Sequence, residues 1–553
     1  MAAFALFVAS VFPTFAKDWY VSPTGSGSGS GSLSNPFDLD TALGTQACKP
    51  PSAIRSGDTL WLLPGTYRST ASGSGFKSCL VGTAAAPIKV RSFSPGRAII
   101  DGSGTNFVIY VSGAYTWFIN LEVEVSRCQR TSATPGSNAG PSCLAFGPSI
   151  YAPGIKFINC FVHDTAEGFS LYNAAPDAEL YGNVVVYNGY VGPDRNHGHG
   201  IYVQNNSGAK LIQANLVGDN ADEGIQAYGS PSSSQINTTL DSNAVWNNGS
   251  WPTLHYASNL IMTGGNAHHN AVTNNMSYFT MSTGQGANNF GQYYDGQYDL
   301  TVTGNTIVGG NVEAAVEGVR GPVLFRNNRL ASVIGKPLYT IVVALFSDEN
   351  YAGYSWDNNS YFGENSFYQG LYDGNNLSGG VGLPFVAFRA QSTLDSHSRY
   401  SATLPTGKWI TITPNKYEAK RANIVIYNWD AYADQYGDFQ NPCTGACASV
   451  AVDLSNVLAN GDPFVIRDAQ NFTGPPVVSG TYSGSVSIPL IGLTKAAVLN
   501  ITNSNGSPMI PAHTTPGYGV FIVCSPDCGL GADIPQPPAP VHTHAALGSK
   551  FRP

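Results

Sequence analysis

One short phrase recurs through the middle of this chain and restricts its fold more than any other feature: an Asn, a spacer, and then apolar residues. It reads INCFV at 158–162, GNVVV at 182–186, ANLVG at 214–218, SNAVW at 242–246, GNTIV at 304–308 and NNRLA at 327–331, with a looser NNMSY at 274–278. Taking Asn159, Asn183, Asn215, Asn243, Asn275, Asn305 and Asn328 as equivalents gives steps of 24, 32, 28, 32, 30 and 23 residues. That is the length of one solenoid coil plus variable loops. Each unit carries enough alternating apolar residues for short strands but too few to bury a face alone, so successive units must stack. The expected product is an all-β chain built on a right-handed parallel β-helix. An Asn at one corner of each coil would bond to its neighbours along the stack and take the left-handed turn conformation.

A solenoid core grows lengthwise, which makes one long domain plausible within 553 residues. The 62 Gly and 29 Tyr, with only 11% charged residues, also favour strands and turns over helices. A net charge of -8 and no clustered Lys and Arg argue against a nucleic-acid partner. The opening MAAFALFVASVFPTFA is apolar and ends in small residues, as a secretory signal over 1–17 would, although it lacks a basic start. No later stretch of about 20 apolar residues suggests a membrane span. Export would suit the cysteines, which fall into local pairs: Cys48 with Cys79, Cys128 with Cys143, Cys443 with Cys447 and Cys524 with Cys528, leaving Cys160 in a coil.

Residues 18–70 run from DWYVSPTG through a Gly/Ser-rich loop to SGDTLWLLPGTYR. This resembles the N-terminal entry of the pectate-lyase-like β-helix superfamily, in which a first strand and a loop lead to a short capping helix. The resemblance covers 18–400 and implies coils from about Asp58 to about Arg399, closing near DSHSRY at 395–400. From 401 to 530 the strands NIVIYNWD, SVAVDLS, DPFVIRDAQNF, PPVVSGTYSGSVSIPL and GVFIVCS are spaced as in a β-sandwich. It resembles accessory C-terminal sandwiches of secreted carbohydrate-active proteins. The Pro-rich 531–553 has no periodicity and reads as a disordered tail.

The densest group of chemically active residues spans consecutive coils. Aligned on Gly168, Gly200 and Gly224, the chain places Glu167, His199 and Glu223 in a column, about 5 Å per step. Asp194, Arg195, His197 and Asp222 surround it, and about eight extra residues precede the His pair. Tyr202 and Gln204 should point outward, with Tyr172, Ser170, Gln226 and Tyr228 on neighbouring coils, a polar and aromatic surface suited to sugars. Strict alternation would instead turn His199 and Glu223 inward with Ile201 and Ile225, unless the following Gly breaks the strand geometry.

An exposed column suits uronic-acid chemistry. Removing the C5 proton beside a carboxylate needs a base, neutralisation of that carboxylate, and an acid for the leaving oxygen. His199 or His197 would be the base, Tyr202 the acid, and Arg195 or a bound calcium the neutraliser. The spacing of His199 from Glu223, followed by Gly224 and Ile225, resembles alginate C5-epimerases and lyases of the superfamily, with His197 where their motif has Asp and Glu223 for their later Asp. The GHG at 198–200 also resembles polygalacturonases, whose paired acids precede that motif, whereas Asp222 and Glu223 follow it. The expected function is a secreted enzyme of lyase or C5-epimerase type acting on a uronic-acid-containing polysaccharide.

Two other readings fit the same scaffold: a glycoside hydrolase using two of Glu167, Asp194, Asp222 and Glu223, or a non-catalytic surface, adhesive or filament-forming protein with a sandwich at one end. A second polar region, Tyr293, Tyr294, Asp295, Asp299, Glu313, Glu317 and Arg320, would extend the groove or bind calcium, or be solvated surface.

Overall fold

The computed structural model describes residues 16–526 apart from 71–72, 74, 105, 137–138, 230–233, 252–256, 280–287, 293–295, 333–338, 374–376, 434–438 and 502–506. Residues 1–15 of the expected signal peptide and the whole 531–553 tail lie outside the described residues. The chain winds as a right-handed parallel β-helix whose three faces are 12-stranded sheets. The first sheet runs from Asp18–Val21 to Tyr354–Asp357, and the second from Phe76–Ser78 through Phe367–Tyr372 to its twelfth strand, Leu377–Leu383. The third runs from Gly65–Tyr67 to Arg399–Ser401.

Alternation within each short strand sends one residue per coil inward to the same place. On the first sheet Phe157, Leu180, Ile212, Leu240, Val272, Val302, Phe325 and Trp356 are consecutive register partners. All eight are buried. Each adds roughly 1.5–3 kcal/mol by leaving water, but only because the coil above and the coil below supply its neighbours. The helix Leu39–Leu43 closes one end, turning Leu39, Ala42 and Leu43 into the core. An antiparallel strand, Leu377–Leu383, and the helix Phe385–Ser392, with Phe385 and Phe388 buried, close the other.

The Asn corner is a hydrogen-bond ladder, displaced by one residue at its first rung. From Asn183 through Asn215, Asn243, Asn275, Asn305 and Asn328 to Asn359, the backbone N–H and Nδ2 of each Asn both donate to Oδ1 of the next. Cys160, not Asn159, holds the equivalent position, its N–H donating 2.9 Å to Asn183 Oδ1. The left-handed turn belongs to the residue before each ladder Asn: Asn159, Gly182, Ala214, Ser242, Asn274, Gly304, Asn327 and Asn358 all have φ between 54° and 72°. Two roles expected of one residue are thus divided between neighbours.

A second ladder, not anticipated from the sequence, lines the corner between the third and second sheets. Thr165 N–H donates to Asn188 Oδ1, and the series continues through Asn220 and Asn248 to Asn259 and Asn289. The step from Asn248 to Asn259 is only 11 residues. Asn259 occupies the strand position held by Gly224 one coil earlier, since Gly224 N bonds to Ser258 O and Ile225 N to Asn259 O.

The C-terminal strands form a five-stranded antiparallel sheet (Lys408–Pro414, Ala422–Asn428, Tyr518–Cys524, Pro463–Asp468 and Val478–Thr481, in spatial order) facing a two-stranded one (Ser449–Val452 and Val486–Pro489). Ile424, Ile426, Ile466, Ile488 and Phe521 fill the space between them. The sandwich lies along the flank of the β-helix rather than at its end: the other face of the larger sheet, including Val425, Tyr427, Val520 and Ile522, packs on Val184, Val186, Leu216, Trp246 and Tyr278 of the third sheet. Val184–Val186 is therefore buried on both faces, which is why it reads VVV without alternation. Lys495 of the sandwich reaches Asp219 at 2.6 Å, with both side chains buried.

Disulfides join Cys48 to Cys79, Cys128 to Cys143 and Cys443 to Cys447. Cys524 is disulfide-bonded, and Cys528 lies outside the described residues. Cys160 is a buried free thiol.

Candidate active site

Glu167, His199 and Glu223 stand on consecutive coils of the second sheet. Gly168 N bonds to His199 O and Gly200 N to Glu223 O, each at 2.9 Å. The three glycines decide which way their neighbours face. A Cβ on Gly168, Gly200 or Gly224 would lie 3.2, 2.7 and 2.5 Å from Nδ2 of Asn188, Asn220 and Asn248 respectively. The second Asn ladder, together with Val185, Val217 and Val245 and the carbonyl of the next coil, fills the space an inward side chain would need. Gly and the Ile or Phe after it both face the interior, alternation breaks at this corner, and the preceding residue is turned outward. His199 keeps 18% of its side-chain surface exposed, and Glu167 is half-buried.

The extra residues before the histidines fold as a two-stranded hairpin, Tyr190–Val191 against Asn196–His197, which walls the column. His197 is buried, stacked on Tyr190 at 4.9 Å with Nε2 3.0 Å from Asp194 Oδ1. It anchors the hairpin and does not face the groove. Asp194 also accepts from the Gly136 N–H at 3.1 Å, outside the column. Arg195 reaches back instead, its Nη1 3.2 Å from Asp222 Oδ2.

His199 Nδ1 lies 3.0 Å from Glu223 Oε2 and 4.0 Å from Asp222 Oδ2. Burial alone would lower its pKa. Contact with Glu223 and the charges of Glu223, Asp222 and Glu167 outweigh that and raise it to about 9. Glu223 is driven up to about 7, first by burial and then by the neighbouring Asp222 charge, with His199 opposing. Burial also raises Glu167, against the pull of His199 and a hydrogen bond from Ser170. The surrounding carboxylates favour the protonated form of the imidazole, and the carboxyl groups resist ionising together.

Tyr202 stacks beside His199, ring centroids 5.8 Å apart at 21°. Its hydroxyl oxygen accepts from Gln204 Nε2 at 2.8 Å, and burial raises its pKa, so it carries a proton free to point elsewhere. Gln226 is the register partner of Tyr202, and Tyr172, Gln204, Gln226 and Tyr228 are all partly exposed on this face. The aromatic surface continues past what the sequence suggested: Tyr172 stacks on Tyr151 at 4.5 Å, Tyr151 on Tyr110 at 4.8 Å, and Lys77 Nζ lies 5.9 Å above Tyr110. Four tyrosines, 110, 151, 172 and 202, thus form a line leading to His199. Extending the alignment one coil, FGPSIY at 146–151 over EGFSLY at 167–172, would have placed Tyr151 there.

The described residues of the second polar region, Asp299, Glu313, Glu317 and Arg320, do not form one cluster. Asp299 pairs with His269 at 3.0 Å, and Arg320 lies 3.6 Å from Asp348 and over the Phe346 ring. Glu313 and Glu317 are buried. Glu313 takes the next inward place after Asn289, its register equivalent on the following coil, and burial holds its pKa well above the usual carboxylate range. Tyr293, Tyr294 and Asp295 lie outside the described residues.

Among the described residues two groups have metal-ligating atoms within 4.8 Å of one another: His199 with Asp222 and Glu223, and His163 with Glu122 and Glu124. In the first, the carboxylates of Asp222 and Glu223 are the hard oxygen donors that suit calcium, while the imidazole is not.

No family model and no curated protein matches the chain. Solved structures do. Pectate lyase Pel9A is 20% identical with a TM-score of 0.42, covering 63% of this chain and 80% of that one. A rhamnogalacturonan lyase is 16% identical with a TM-score of 0.33, covering 66% and 79%. The A-module of Azotobacter vinelandii mannuronan C-5 epimerase AlgE4 is 14% identical with a TM-score of 0.37, covering 62% and 91%. The chemistry must be argued from the residues in the groove.

Proposed function

We propose that the protein is a secreted polysaccharide-active enzyme of lyase or C5-epimerase type, acting on a uronic-acid-containing glycan. The observation that carries this reading is His199, turned outward among Glu167, Asp222 and Glu223 and stacked beside Tyr202 at the end of a line of tyrosines. Sugar rings lie along the tyrosines by stacking on their faces. The uronate at His199 presents its carboxylate to Arg195, and neutral His199 takes the C5 proton. In a lyase the electron pair forms the C4–C5 double bond as the C4–O bond breaks, and Tyr202 protonates the departing oxygen. In an epimerase His199 keeps that proton and Tyr202 gives its own to C5 from the opposite face. Glu223 and Asp222 orient the imidazole and stabilise its protonated product. Asp222 and Glu223 are the residues that would hold calcium, which would add positive charge beside the substrate carboxylate. The three disulfides support export.

Incubation with a panel of uronans and neutral glycans tests the reading. Unsaturated, ultraviolet-absorbing products identify a lyase, and an altered C5 configuration without cleavage identifies an epimerase. His199→Ala should abolish either. A rate unchanged in that variant removes His199 from the mechanism. A second reading, an inverting hydrolase, has one observation in its favour: Glu167 and Glu223 both have raised pKa values and stand two coil steps, roughly 9–10 Å, apart along the column. New reducing ends without ultraviolet absorbance would select it.

A further inference from the structure

On the third sheet, a different face from the one that carries the groove, the β-helix and the sandwich do not close completely. A pocket of ≈ 90 Å³ remains at their seam, with Arg97, Asn120, Glu122 and Phe161 from the β-helix and Arg467 and Phe472 from the sandwich among its lining residues. Its residues come from distant parts of the chain, so the pocket exists only when helix and sandwich are docked.

Three features of this pocket call for a ligand. First, Asn120 is 3% exposed, and neither its Nδ2 nor its Oδ1 has a hydrogen-bond partner, although a buried amide left unpaired is costly. Second, two guanidinium groups converge there. Arg467 donates through Nη1 to the carbonyls of Phe472 and Gly474, while its buried Nε is unpartnered. Burial and the positive charge of Arg97 both work against its own charge. Arg97 pairs with Glu122, which is itself shared with His163 Nε2 at 3.2 Å, so Glu122 cannot neutralise both arginines. Third, Phe161 and Phe472, 5.1 Å apart at 51°, give the pocket an apolar wall. A fork of donors beside an unpaired amide and an aromatic wall is the chemistry that recognises a carboxylate carried on a sugar ring.

We propose that this seam pocket is a second binding site, separate from the groove, for the carboxylate of an acidic sugar residue. The carboxylate sits between Arg467 and Arg97, Asn120 bonds to the carboxylate or an adjacent hydroxyl, and the ring rests on Phe161 and Phe472. The site adds a hold on an acidic glycan without taking part in its chemistry, and it does not depend on the reaction assigned to His199.

The test is titration of the full-length protein with galacturonate and glucuronate, followed by calorimetry and ligand-observed NMR, with glucose and inorganic sulfate in parallel. The proposal expects a uronate to bind in the wild type and in His199→Ala, and binding to fall at least tenfold in both Arg467→Met and Asn120→Leu, with glucose not bound. The thermal midpoint of each variant checks that it is folded, and Asn120→Leu keeps the test decisive where loss of Arg467 disturbs the seam. No uronate binding, binding unchanged in both seam variants, or binding lost only in His199→Ala would overturn it. Sulfate bound as tightly as the uronates, with no contribution from the sugar, would also overturn it by marking a bare oxyanion site.

Discussion

Replacing Asn243 by Ala separates the ladder from mere turn propensity. Asn243 Nδ2 donates to Ile212 O at 2.8 Å and to Asn275 Oδ1 at 2.9 Å, and its Oδ1 accepts from the Asn215 backbone N–H and from Asn215 Nδ2, both at 3.0 Å. Truncation removes all four. Asn275 Oδ1 still receives the backbone N–H of residue 243, and Asn215 Nδ2 still reaches Leu180 O. The group left stranded in the interior is the Asn215 N–H, while the Ile212 carbonyl, which lies in the strand ladder, loses its side-chain donor. At about 1–3 kcal/mol for the buried N–H left unsatisfied and about 0.5–1.5 kcal/mol for the lost bond to the carbonyl, the expected loss is ~1.5–4.5 kcal/mol. The neighbouring Asn274 supplies the comparison. It is exposed and has φ 55°, so Asn274→Ala should cost only about 1–2 kcal/mol from the left-handed conformation, and Asn274→Gly close to nothing. Equilibrium denaturation by guanidinium of all three variants, read by far-ultraviolet circular dichroism, gives the ranking. An Asn243→Ala loss below about 1 kcal/mol, or one no larger than that of Asn274→Ala, would refute the claim that side-chain bonds between coils hold the stack.

Further outcomes follow from other parts of the molecule. Gly200→Ala places a Cβ 2.6 Å from Val217 Cγ1 and 2.7 Å from Asn220 Nδ2. Overpacking of this kind costs about 1–3 kcal/mol, and the proposed activity should fall with it; a fully active, equally stable variant would contradict the ladder-and-glycine account of the column. His199 and His163, raised to about 9 and about 10, have folded pKa values above the unfolded value of about 6.5. Their stabilisation is therefore complete below about pH 6.5 and lost as pH rises through about 9 to 10, so thermal midpoints should drop across that window, less so in His163→Gln; a flat profile would exclude both assignments. If His199 is the base, the rate should climb with pH to a plateau above about 9, and a rate constant from pH 6 to 9 would exclude neutral imidazole as the reactive form. Lys495→Ala leaves Asp219 as an unpaired buried carboxylate and should cost about 3–5 kcal/mol, whereas Lys495→Met with Asp219→Leu should recover most of the loss; equal stability of the single variant and wild type would mean the pair is not buried in solution.

The fold was readable because its repeat is a period of hydrogen bonding as well as of hydrophobicity. Seven phrases spaced at coil length require coils. Asn159 was misassigned because INCFV carries its Asn in the left-handed position and a Cys on the rung, and Asn is common at both kinds of site for different physical reasons. The second ladder escaped notice because loops interrupt it, and because Asn259 enters from the strand side rather than the corner. The column of Glu167, His199 and Glu223 was legible from the shared glycines. Its outward orientation was not, since it depends on the Asn side chains occupying the interior beneath those glycines. His197, beside His199 in sequence, faces away because the hairpin ends between them. The flank position of the sandwich left one trace, the unalternating VVV at 184–186, and no local rule says what covers a doubly apolar strand.

That flank contact also limits how the protein can vary. Solenoids ordinarily lengthen or shorten by duplicating or losing whole turns, a change their one-dimensional architecture absorbs easily. Here the sandwich is fastened at Tyr187, Asp219 and Tyr278 through Gln470, Lys495 and Tyr518. One added turn among those anchorages would pull them out of step by about 4.8 Å, more than any hydrogen bond tolerates. Insertions of whole turns are expected to survive only beyond the clasped stretch, so the length of the barrel behind the tyrosine line is set by its passenger.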